Sequence, residues 1–142
     1  MKKLIIIGIS VLTFISSYIN SKTHNLKIPN QVVSELQESI KRGGMVYEDM
    51  CNTCHLPNGL GVSKVYPPLA NSDYLREKQI ESIKAIKYGL SGQITVNGNS
   101  YNGTMTTLGL SDQEVADVMN YINNNWGNSI ENFVTAKKVS EL

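Results

Sequence analysis

The amino-acid sequence predicts a small all-α domain. Apolar residues recur at helical spacing in three segments, near residues 39–50, 73–88 and 115–122. A helix-start signal, Ser111-Asp112-Gln113-Glu114, precedes the last of them. Strand-like alternation is confined to residues 94–101, too little for a sheet that could form a layer. Three to four helices, with a small hairpin near 94–101, are therefore expected.

The first element is a leader. Met1-Lys2-Lys3 is basic, Leu4 to Ile15 is apolar except for Gly8, Ser10 and Thr13, and Ser16, Ser17 and Ser21 are small residues suited to cleavage. Residues 1–21 thus read as a secretory signal peptide, with an uncleaved N-terminal anchor as the alternative. Residues 22–38 form a polar lead containing Pro29, in which Val32, Val33, Leu36 and Ile40 have the spacing of a short amphipathic helix. The domain itself is expected over residues 39–128, with residues 129–142 as a tail. Its first helix starts near Ser39 and buries Ile40, Gly43, Tyr47 and Met50, Gly43 being a place where another helix can come close.

Between Leu56 and Ala70, Pro57, Gly59, Gly61, Pro67 and Pro68 break regular structure. Helical spacing returns over residues 73–88, with Leu75, Ile80, Ile83 and Ile86 on one side and Glu77, Lys78, Lys84 and Lys87 on the other, and Gly89 ends it. Asn97-Gly98, between Ile94-Thr95-Val96 and Asn99-Ser100-Tyr101, is a tight-hairpin signal. In the last helix, Ser111 and Glu114 form a capping box, Leu110 and Val115 a hydrophobic staple, and Val115, Val118, Met119 and Ile122 a buried stripe with Tyr121 beside it.

The chemistry sits in Cys51-Asn52-Thr53-Cys54-His55, which holds both cysteines and one of the two histidines of the 142-residue chain. This C-x-x-C-H spacing reads as covalent attachment of a c-type haem. Two thiols on one helical turn can each add to a haem vinyl group, and the next imidazole then faces the iron. A redox dithiol is expected beside a βαβ unit, and a zinc site needs two further Cys or His ligands. Neither context is present, since the other histidine, His24, lies far upstream in a polar segment. Export suits the haem reading, because thioether formation belongs outside the reducing cytoplasm. Without Lys2 and Lys3, 11 basic side chains face 12 acidic ones, a balance that argues against nucleic-acid binding.

A second axial ligand would close the iron to small molecules and make the site one for electron transfer. Met45 and Met50 lie on the proximal helix and Met119 has core spacing, so each reads as packing. Met105, in the Gly/Asn-rich run Asn102-Gly103-Thr104-Met105-Thr106-Thr107, is on a loop that can fold over the distal face. Met105 is taken as the sixth ligand, with His24 or an open iron as the alternatives.

These residues resemble, in order, a monohaem class I cytochrome c: Gly43-x-x-x-Tyr47, Cys51-x-x-Cys54-His55, Pro67-Pro68-Leu69, Met105, and a last helix with Val118 and Tyr121. The resemblance implies that the helices bearing Gly43/Tyr47 and Val118/Tyr121 cross almost at right angles and pack with the others around one covalent haem. It also implies that a proline carbonyl accepts the proximal imidazole N–H, with Pro67 preferred and Pro68 as the alternative. More narrowly, the run from Pro67 to Leu75, Ile94-Thr95-Val96-Asn97-Gly98 and Asn125-Trp126-Gly127-Asn128 resemble cytochrome c modules that accompany periplasmic respiratory enzymes such as copper nitrite reductases.

The resulting expectation is an exported, periplasmic electron carrier rather than an enzyme, using one haem c. Its partners are expected to be redox proteins, with a copper nitrite reductase or terminal oxidase first and a dehydrogenase next, and it meets the membrane only through an uncleaved anchor. A dedicated subunit of a larger oxidoreductase, and a haem-based sensor or enzyme, are the competing readings.

Overall fold

The computed structural model describes residues 27–142, with side chains from residue 33 onward. The expected leader over residues 1–21, residues 22–26 and His24 lie outside the described residues. The chain divides after Glu35; before that point residues 27–35 are helical, and residues 36–142 form the unit that carries the motif. Among the described residues the helices are α1 (Lys27–Met50), α2 (Asn52–His55), α3 (Asp73–Glu77), α4 (Gln79–Tyr88), α5 (Asp112–Asn123) and α6 (Ala136–Ser140). One antiparallel hairpin, β1 (Ile94–Val96) with β2 (Asn99–Tyr101), stands between α4 and α5. No described helix is long and apolar enough to cross a membrane.

Helix α1 starts twelve residues before the expected Ser39. Pro29 is no obstacle, because it falls in the first turn, where its missing N–H has no intrahelical acceptor. Its inward row is Ser39, Gly43, Tyr47 and then Cys51, every fourth residue. Ile40 is only half-buried and Met50 is exposed, so the buried face is rotated from the expected one. Gly43 lies against the backbone of α5: a Cβ at this position would stand 1.9 Å from the Asp117 carbonyl oxygen.

The segment 73–88 is two helices, because the chain breaks helical geometry at Lys78 (φ −128°, ψ 53°). Ser72 caps the first through the Leu75 amide, and Gly89 ends the second in the left-handed region. After this break Ile80 is exposed, while Ile83, Ala85 and Ile86 are buried. The hairpin has the expected register, Ile94 opposite Tyr101 and Val96 opposite Asn99. Its Asn97 turn is tied to the start of α3: the Asn97 amide donates to the Asp73 carboxylate (2.7 Å), and the Asp73 amide to the Asn97 side chain (3.0 Å).

The capping box of α5 forms in both directions, Glu114 amide to Ser111 hydroxyl and Ser111 amide to Glu114 carboxylate. Behind it, Val115, Val118, Met119 and Ile122 are buried as the stripe predicts. Asn120 is buried as well, facing residues 129–142, while Asp117 is buried against α1 and the Asn123 side chain against Gln79. Val134 and Val139 are buried, and the Asn120 amide grips both backbone groups of Val134 at 2.8 and 2.9 Å. Part of the polar face of α5 is thus covered by residues 129–142, which the sequence reads as a tail.

Asp117 joins these elements. Its carboxylate accepts from Ser39 (2.6 Å), Gln113 (3.0 Å) and two nitrogens of Arg42 (2.7 and 2.8 Å). Burial alone would push its pKa up, but the hydrogen bonds from Arg42, Ser39 and Gln113 outweigh that and hold it below the usual carboxylate range.

Two outcomes follow. Gly43→Val should lower stability by at least about 1–3 kcal/mol, since the obstructing atom is backbone and cannot rotate away; thermal unfolding measures it. Asp117 has a folded pKa below its unfolded value, so its contribution is present above about pH 4 and drains as pH falls through the lower folded value. Denaturant unfolding at pH 7 and pH 3 should therefore show a smaller acid loss in Asp117→Asn than in the parent, with the variant weaker at pH 7.

Candidate functional site

The motif is placed by the end of α1. The Cys51 amide donates to the Tyr47 carbonyl (2.9 Å), continuing the turn, and the Cys54 and His55 amides both donate to the Cys51 carbonyl. Cys51, Cys54 and His55 thereby occupy one turn, with both thiols free, Cys51 buried and Cys54 half-buried. Burial, with Cys54 adding to it, pushes the Cys51 thiol up to about 11. At Leu56 the backbone turns left-handed (φ +64°), and the Tyr47 hydroxyl donates to the Leu56 carbonyl at 2.8 Å. The proximal turn is thus tied back to α1.

The following loop folds under the motif. Gly61 donates to the His55 carbonyl, and Leu69 and Ala70 both donate to the Gly59 carbonyl. This closure brings the Pro67 carbonyl 3.0 Å from His55 Nδ1. A carbonyl can only accept, so Nδ1 carries the proton and Nε2 keeps its lone pair. Burial lowers the His55 pKa against the opposing effect of that hydrogen bond, which keeps the ring neutral. Pro68 only lines the cleft beside it.

Met105 is fixed by a contact that sequence reasoning did not foresee. Its amide and carbonyl pair with those of Leu90 at 2.8 Å each, and the Thr107 hydroxyl donates to the Lys87 carbonyl nearby. Gly89, read from the sequence only as a helix stop, is also what admits this loop: a Cβ there would stand 2.7 Å from the Met105 carbonyl oxygen. Met45 and Met50 are exposed on α1 and Met119 is fully buried in the core. Met105 is the methionine that faces the cleft.

Two clefts have His55, Pro67, Leu90, Ile94 and Met105 in common. Cys51 opens on the first and Cys54 on the second. Leu69, Leu75, Ile86, Val96 and Ile122 complete the apolar wall of the first. The donor set and the wall fit a flat apolar macrocycle: two thiols at separate points of its edge, one neutral imidazole, one thioether, and hydrocarbon elsewhere. Among the described residues no group of three or more His, Cys, Asp or Glu could hold a metal ion.

Trp126 and Asn128 complete the frame. The Trp126 indole donates to the Pro57 carbonyl (3.1 Å) and lies against Gly59, and its ring centroid is 4.8 Å from that of Tyr47. Asn128 donates to the Leu69 and Ile122 carbonyls, joining the cleft loop to α5.

Comparisons with known proteins agree with this architecture. A family model described as Cytochrome c matches residues 40–126. Cytochrome c-552 of Thermus thermophilus is 37% identical over 109 residues, covering 70% of this chain and 82% of that protein. The cytochrome c subunit of the quinone alcohol dehydrogenase of Gluconobacter oxydans is 33% identical over 104 residues, 70% of this chain but 21% of the subunit. The gluconate 2-dehydrogenase cytochrome c subunit of Pantoea cypripedii is 36% identical over 103 residues, 70% of this chain and 23% of that subunit. The chain therefore belongs to the cytochrome c family, as a monohaem class I electron-transfer protein with covalently bound haem c.

Proposed function

We propose that the protein is an exported, periplasmic electron carrier without turnover of its own, in which Cys51 and Cys54 attach the haem and His55 and Met105 hold its iron. The observation that carries this reading is the convergence of those four side chains on one pair of apolar clefts. When bound, the haem supplies a one-electron iron couple, and an axial methionine favours its reduced state. His55 keeps its proton on Nδ1 against Pro67, which leaves Nε2 as the donor. Leu90 holds the Met105 backbone so that the thioether need not search for its position. The apolar wall excludes water, which keeps the reorganisation that accompanies a change of charge small.

Export is supported by the basic and then apolar start of the chain. Redox proteins are the partners. The relatives that are cytochrome c subunits of dehydrogenases support a dehydrogenase as donor, and a copper nitrite reductase or a terminal oxidase is the proposed acceptor. A carrier must leave each partner after every electron, so these contacts are small and brief. The same relatives favour a second reading, a dedicated subunit of a larger oxidoreductase. Elution of the native protein as a single small species on size exclusion supports the carrier, and co-elution with a dehydrogenase supports the subunit.

Met105→Ala should leave the haem attached, abolish the sulfur-to-iron charge-transfer band of the ferric protein and lower its potential. Gly89→Ala should weaken the same band with every cleft side chain intact, because the added methyl displaces the Met105 backbone. An unchanged spectrum in Met105→Ala would move the sixth ligand elsewhere. In stopped-flow mixing, the reduced protein should be oxidised rapidly by its acceptor protein and should show no steady turnover of nitrite or peroxide alone.

A further inference from the structure

Residues 106–111, between Met105 and α5, have neither helix nor strand, and Gly109 among them takes a left-handed φ of +70°. The pairing of Met105 with Leu90 fixes the start of this loop. Its remainder is held by one residue, Lys87, in the last turn of α4. The Lys87 carbonyl accepts from the Thr107 hydroxyl at 3.2 Å, and the Lys87 ammonium stands 2.9 Å from the carboxylate of Asp112, the first residue of α5. The same ammonium donates to the Val139 carbonyl of α6 at 2.9 Å. Of the other ion pairs among the described residues, Arg42 with Asp117 joins α1 to α5 and Lys137 with Glu141 lies at the end of α6, so Lys87 with Asp112 is the one that borders the methionine loop.

An exposed ion pair contributes little, because two long side chains must be ordered to make it. Lys87 meets less of that cost: its side chain is 17% exposed, and the Val139 carbonyl holds the ammonium in place on its own account. We propose that Lys87 is a positioning residue for Met105, which by clamping the loop at Thr107 and at Asp112 limits the excursions that would carry the thioether off the iron. Gly89 and Leu90, the next residues along, touch the Met105 backbone itself, so residues 87–90 hold the loop at three points along its length. Freeing the far end lengthens the segment that can move and raises the entropy gained when the ligand departs. The inference rests on Met105 as the sixth ligand and adds that the strength of this ligation is set in part from α4 and α6, neither of which carries it.

The test titrates the full-length ferric holoprotein with imidazole, an uncharged ligand that binds once Met105 has left the iron, and follows loss of the sulfur-to-iron band. Lys87→Met keeps the alkyl stem and removes the ammonium; it should raise the apparent affinity for imidazole about two- to fivefold at a temperature where the far-ultraviolet dichroism stays native. Asp112→Asn should do the same, and the two substitutions together little more than either, since they break one contact. Lys87→Arg should keep the parent affinity, as should Lys84→Met at an exposed position of the same helix. Parent affinity in both Lys87→Met and Asp112→Asn, or fully additive effects of the two, would overturn the proposal. So would an effect confined to Lys87→Met, which would trace to the bond with Val139. If Lys87→Met does not fold, Asp112→Asn decides alone. A parent without the sulfur-to-iron band, or a band that persists in Met105→Ala, would instead mark failure of the ligand assignment on which the proposal rests.

Discussion

The structure depends on one backbone contact. Where α1 passes α5, Gly43 stands so close to the Asp117 carbonyl that no side chain fits between them. Apolar packing alone would not hold two helices at that point, because a backbone carbonyl and a glycine offer little surface to bury. The surrounding polar residues supply direction: Ser39, one turn before Gly43, and its neighbour Arg42 both reach the Asp117 carboxylate. The pairing is partly open to solvent on the arginine side, where the side chain is 46% exposed, so its value is orientation more than stability.

That crossing sets where α1 ends, and its end positions the haem motif. Tyr47, one turn beyond Gly43, packs against Tyr121 of α5 and against Trp126, with all three ring centroids within 5.4 Å of one another. The same side chains hold the chain that follows the motif: Tyr47 through the Leu56 carbonyl and Trp126 through that of Pro57. The proximal loop therefore closes on an aromatic cluster, and the His55 to Pro67 hydrogen bond comes as a consequence of that closure. A histidine fixed in this way needs little rearrangement between the two charge states of an iron bound to it.

On the distal side the framework is different. Met105 sits in a loop without helix or sheet of its own, and its position comes from a single two-way pairing with Leu90. Under the proposed ligation, this pairing would hold the backbone of the sixth ligand in place. The hairpin beside it, tied to the start of α3 through Asn97 and Asp73, supplies Ile94 as a wall of both clefts.

Local chemistry was legible in the sequence. The C-x-x-C-H spacing, the Ser111/Glu114 box, the Asn97-Gly98 turn and the Gly89 stop depend on neighbours a few residues apart, and each appears where its residues predict it. Gly43 was legible as a place of close approach, but its partner 74 residues on, like the acceptor role of Pro67 12 residues from His55, was legible only through likeness to a family. Three features were decided by the tertiary structure. Residues 129–142 look like a polar tail, yet they fold back because Asn120 offers both hydrogen-bonding groups to Val134 and the core leaves room for Val134 and Val139. The break at Lys78 interrupts a segment whose periodicity is continuous, since α3 answers to the hairpin and α4 to the core. The pairing of Leu90 with Met105 joins two loops whose sequences carry no mark of each other, because backbone hydrogen bonds between extended strands require proximity and not particular side chains.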